Sequence, residues 1–114
     1  MEYKIFVNIT SSHPGLIARS DCLKRHLARM GLTLNEIVDD DLGHVKLPFI
    51  GLFCGLYSGD SAEKVKDAVF ANLVEVYSAV EADVGYTRFS TLVIVVGEGS
   101  SWGFKEGPRY RALK

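Results

Sequence analysis

From Tyr3 to Thr10 the chain alternates, with Tyr3, Ile5, Val7 and Ile9 on one side and Lys4, Phe6, Asn8 and Thr10 on the other, the pattern of a half-buried strand. A turn from Ser11 to Gly15 then leads into a helix carrying Pro14 near its first position. Its apolar stripe is Leu16, Leu23, Leu27 and Met30, with Cys22 and Ala28 beside it, and Gly31 supplies the stop. Leu32 to Val38 reads as a second strand. Asp39 to Gly43 reads as a turn, from which His44 to Leu47 returns as a short edge segment ended by Pro48. Phe49 to Tyr57 is the most apolar strand. Asp60 and Glu63 have the spacing of a capping box, opening a helix whose stripe is Val65, Val69, Leu73, Val76 and Val80. Arg88 to Val96 is the last strand. The glycine-rich stretch from Gly97 to Gly103 reads as a flexible turn with Trp102 folded back onto the domain.

Strand, helix, strand, strand, helix, strand is the order of an α+β, ferredoxin-like βαββαβ fold. It predicts a four-stranded antiparallel sheet with both helices on one face. With no repeat or linker, residues 1–104 read as one domain and residues 105–114 as a basic C-terminal tail. Such a fold leaves one sheet face bare. If Ile5, Val7, Ile50, Leu52, Cys54 and Leu56 face the helices, the bare face presents Phe6, Phe53 and Tyr57, with Phe49 toward one end. Gly51 and Gly55 then also lie on it and suggest close approach of another group. A homo-oligomer interface or the C-terminal segment would cover such a face, and unpaired bases would stack on it.

At 114 residues and 47% hydrophobic, the chain is long enough to bury a core without disulfides or structural metal. Cys22 and Cys54 read as buried thiols in a reducing compartment, and no apolar run approaches the roughly 20 residues of a membrane span, so a cytoplasmic protein is expected. The net charge of −1 argues against holding duplex DNA by charge. That total is uneven: residues 1–35 carry 5 basic and 2 acidic side chains, residues 36–84 carry 3 and 10, and residues 85–114 carry 5 and 2. The basic excess belongs to the first helix (Arg19, Lys24, Arg25, Arg29) and to the tail (Lys105, Arg109, Arg111, Lys114), segments that can meet phosphates or remain a solvated helix face and tail.

His13, His26 and His44 lack the spacing of a zinc site, and no metal or other cofactor is expected. No nucleophile elbow is present, and both cysteines read as packing groups. Glu98 within Gly97 to Gly103 would repel a phosphate, which argues against a phosphate loop. The dense candidates for metal-free acid–base chemistry are Lys24, Arg25 and His26, with Arg29 as an RNA or partner contact beside Phe6, Phe53 and Tyr57.

Ile5 to Ile9 and Phe49 to Phe53 fall where RNA-recognition-motif proteins carry their aromatic signatures, a loose likeness. Met30-Gly31-Leu32, the run from Asp40 to Pro48 and Gly59-Asp60-Ser61 resemble, in layout from Tyr3 to Val96, small ferredoxin-like proteins of the GhoS-type antitoxin endoribonuclease kind. That resemblance implies single-stranded RNA cleavage with an arginine on the first helix; the position that matches is Lys24, a departure from that pattern, with Arg25 next to it. PII-type signalling proteins and phage enzymes that cleave S-adenosylmethionine are similar in layout. They imply an adenosyl ligand between subunits, for which Tyr57 and Glu98 are the residues to examine. The expected partners are thus a dimer or trimer of this chain and single-stranded RNA or a partner protein. The expected roles are RNA binding or cleavage, a non-enzymatic interaction or inhibitor protein, or an adenosyl-ligand enzyme or sensor.

Overall fold

The computed structural model describes residues 1–11, 21–38, 41–42, 45–46, 49–85 and 88–107. In chain order the elements are strand β1 (Glu2–Ser11), helix α1 (Asp21–Arg29), strands β2 (Thr33–Val38), β3 (Asp41–Leu42), β4 (Val45–Lys46) and β5 (Phe49–Ser58), helix α2 (Ala62–Val84), and strands β6 (Phe89–Gly97) and β7 (Gly99–Gly107). The expected helix start at Pro14 and Leu16, the residues His13, Asp39, Asp40 and His44, and the tail residues Arg109, Arg111 and Lys114 lie outside the described residues. No helix among the described residues is long and apolar enough to cross a membrane.

The main sheet is antiparallel and has five strands in the order β2-β5-β1-β6-β7, with β3 and β4 forming a separate two-stranded ribbon. The four-strand expectation therefore falls one short. The missing strand is β7, which alternates Ser100, Trp102, Phe104 and Glu106 against Ser101, Gly103 and Lys105. Its serines and glycines hide that alternation from a hydrophobicity reading. A tight turn at Glu98, with Gly99 at φ +95°, folds it back along β6. Lys105, expected in the tail, is inside this strand.

Helix α2 holds β7 in place. Ser101 donates to Glu63 at 2.6 Å, Gly103 lets the strand close onto the Phe70 ring, and the Lys105 ammonium sits 4.6 Å from that ring's centroid. The Lys66 ammonium and the Ser101 hydroxyl both donate to Glu63 and hold its carboxyl below the usual range, while Glu63 holds Lys66 above its own. The cap of α2 is Ser61, whose hydroxyl accepts from the Lys64 amide at 3.2 Å. The expected cap, Asp60, instead stands 3.7 Å from the Lys64 ammonium in solvent.

Tyr3, Ile5, Val7 and Ile9 of β1 are buried in one core with Leu23 and Leu27 of α1 and the whole expected stripe of α2. Both helices therefore cover this side of the sheet. Helix α1 ends in a glycine turn: Gly31, at φ +79°, donates to Ala28 at 2.9 Å and Leu32 donates to Leu27 at 2.9 Å, satisfying the last carbonyls. The core contains a polar contact between α2 and β6, Tyr77 Oη to Thr91 Oγ1 at 2.6 Å, beside the Tyr77 and Phe89 rings stacked at 4.0 Å. Thr91→Val keeps the shape and removes this hydrogen bond. It is expected to lower unfolding free energy in urea by about 1 kcal/mol, and an unchanged midpoint would show the contact to be neutral.

Candidate functional site

The register of β5 against β1 reverses the expected faces of β5. Val7 lies opposite Phe53 and Tyr3 opposite Tyr57, so Phe53 and Tyr57 point toward the helices with the core residues of β1. Phe53 is only 2% exposed, and Tyr57 packs partly buried against the core. Neither belongs to the open face. Leu52, Cys54 and Leu56, expected beneath the helices, share the register of Asn8, Phe6 and Lys4 on the open side. The physical reason lies at the glycines. Both sides of β5 are apolar, but only the glycine side admits the turn that ends α1. A Cβ on Gly55 would stand 2.5 Å from the Gly31 carbonyl oxygen.

The open face is built in rows across the strands. One row runs Cys54, Phe6, Ile94, Trp102; the next runs Leu52, Asn8, Leu92, Phe104; a third runs Leu56, Lys4, Val96, Ser100. Apart from Met1, every exposed large apolar side chain among the described residues belongs to these rows: Phe6, Leu56, Ile94, Val96, Trp102 and Phe104. Trp102, expected to fold back onto the domain, is 68% exposed. Sequence reasoning found Phe6 and missed the other five. The signal for Ile94 and Val96 was their parity in β6, and for Trp102 and Phe104 their spacing of two across the end of the stretch, Gly97 to Gly103, read as a turn.

A depression of about 230 Å³ opens at the centre of this face, lined by Phe6, Asn8, Leu52, Cys54, Leu92 and Ile94. Asn8 lies on β1, the middle strand of the five. Its side-chain oxygen is buried and accepts no hydrogen bond. An unmet acceptor of this kind costs about 1–3 kcal/mol.

The basic residues of α1 stand on the other layer. Lys24, Arg25 and His26 are consecutive and fan around the helix, so they do not converge on one point. His26 and Arg29, three residues apart, do share a side. They line a cleft of about 470 Å³ with Met30, Tyr57, Asn72 and Glu75. Burial pushes the Tyr57 hydroxyl above its ordinary range, an effect reduced by its hydrogen bond with Asn72. Glu98 is exposed in the β6–β7 turn, and β1 separates that hairpin from β5, which carries Tyr57.

Cys22 packs against the core from α1, and Cys54 lies half-buried on the open face. Among the described residues no group of three His, Cys, Asp or Glu side chains is close enough to hold a metal ion. No family model, curated protein or solved structure matches the chain.

Proposed function

We propose that this chain is a non-enzymatic interaction protein that docks through the open face of its sheet, and that the occupant is a second copy of the same chain. Its frame reads as ferredoxin-like, β1-α1-β2-β5-α2-β6, widened by β7 at one edge and interrupted by the β3–β4 ribbon. The observation that carries the reading is the gathering of Phe6, Leu56, Ile94, Val96, Trp102 and Phe104 on one side of the sheet. An apolar face of this extent on a small domain marks a binding surface.

Size and charge point to a second copy. Strand spacing and rise give the face a footprint of about 600 Å² per chain, so pairing two would cover roughly 1,200 Å², the lower bound of stable interfaces. Among the side chains described, the charged ones of this face stand toward its ends, Glu2 and Lys4 at one and Glu106 at the other. That distribution suits an apolar, near-neutral partner better than a polyanion.

RNA would need the aromatic groups and the cations together. Phe6, Trp102 and Phe104 share their side of the sheet with Lys4, whereas Lys24, Arg25 and Arg29 lie on the helix layer. A single RNA strand meets one set or the other.

Sedimentation velocity across a concentration series tests the reading. The protein is expected to associate reversibly, and Trp102→Glu or Ile94→Glu to weaken association at least about thirtyfold with an unchanged circular dichroism spectrum. A wild-type chain that stays monomeric throughout overturns self-association. Saturable binding of an unpaired RNA oligonucleotide to that monomer, lost in Phe6→Ala, would replace it with the RNA reading.

A further inference from the structure

We propose that Asn8 is the polar pin of the self-associated face, paired across a twofold axis with Asn8 of the second copy. The inference rests on the self-association argued above and adds what sets its geometry. Three observations converge on this residue. It lies on β1, with two strands on either side, so a twofold axis through the middle of the sheet passes close to it. It lines the central depression, among Phe6, Leu52, Leu92 and Ile94. Its side-chain oxygen is buried and unpartnered in the single chain.

A carboxamide carries both a donor and an acceptor, so two of them related by a twofold axis satisfy each other with two N–H···O bonds. The terminal torsion of Asn is broad, and rotation about it turns the oxygen from the sheet toward the partner. In the single chain this oxygen has no donor; in the pair it accepts from the opposing amide. Apolar rows alone permit several offsets between two flat sheets. One polar pair at the centre favours the arrangement in which both carboxamides are satisfied, as a single buried Asn does between paired helices.

Two substitutions separate the pin from the face. Asn8→Asp opposes two carboxylates on the axis and is expected to weaken association about a hundredfold or more near neutral pH. Lowering the pH far enough to protonate one of them restores a shared hydrogen bond and with it the association. Asn8→Leu is expected to associate at least as tightly as wild type but to lose its single arrangement. A spin label coupled to an azido-phenylalanine incorporated at Ala71 on exposed α2, by chemistry that leaves Cys22 and Cys54 in place, reads this as one sharp inter-subunit distance broadening into several. Wild-type monomers would remove the self-association reading itself. Stable dimers whose association is unmoved by Asn8→Asp, or whose distance distribution is unmoved by Asn8→Leu, would overturn the pin and leave the face standing. If Asn8→Asp does not fold, the Asn8→Leu distances carry the decision.

Discussion

Phe53→Ala lowers the unfolding free energy by about 3–5 kcal/mol, while Phe6→Ala changes it by less than about 1 kcal/mol. Both residues are phenylalanines on neighbouring strands, offset by a single step of register: Val7 lies opposite Phe53, and Phe6 opposite Cys54. Phe53 is 2% exposed and joins the core with Leu23 and Leu27; Phe6 is 40% exposed on the far side. Removing the Phe53 ring leaves a cavity that the sheet and two packed helices cannot close. A domain of this kind has only about 5–15 kcal/mol in total, so the variant stands near the limit of folding. Urea unfolding of both variants checks the prediction. Equal losses, or the greater loss at Phe6, would return β5 to the face order expected from composition.

Gly55→Ala is expected to cost about 2–3 kcal/mol. In an ordinary strand the same change is mildly favourable, because alanine has fewer unfolded conformations to lose. Here the new Cβ would meet the Gly31 carbonyl oxygen at 2.5 Å and Leu32 Cδ2 at 3.2 Å. The leucine methyl can yield. The carbonyl cannot, because Gly31 is held at φ +79° by its bond to Ala28 and by the Leu32–Leu27 bond that closes the helix. The strain therefore passes into the end of α1. Denaturation midpoints measure the loss, and amide exchange at Gly31 and Leu32 locates it. A variant as stable as wild type would mean the turn shifts freely over the sheet.

Most of the framework could be read from periodicity. The stripe from Val65 to Val80 and the alternation from Tyr3 to Ile9 each leave one arrangement that buries their apolar side chains, and both lie where expected. Strand β5 shows where that logic stops. With Leu52, Cys54 and Leu56 on one side and Phe53 and Tyr57 on the other, hydrophobicity does not distinguish the two; the contact between Gly55 and Gly31 does, and it is a long-range fact. Strand β7 fails for the opposite reason. Ser100, Ser101 and Gly103 dilute its pattern, and what holds it is its ladder with β6 together with a partner from α2, through Glu63 and Phe70. The candidate surface inherits both difficulties, since its largest exposed side chains, Trp102 and Phe104, lie on β7.

The central place of β1 also has a consequence for how the chain reaches this structure. Its two neighbours are β5 and β6, and the second pairs Ser11 with Phe89. At about 5–20 residues per second, a ribosome needs on the order of 4–16 s between those two positions. For that interval β1 has an unpaired edge. Helix α1 and the ribbon can form locally, but closure of the sheet waits for the last third of the chain. Refolding is accordingly expected in the millisecond-to-second range of non-local topologies rather than the microseconds of helical bundles. An early strand that waits so long is where a chaperone would find its most persistent target.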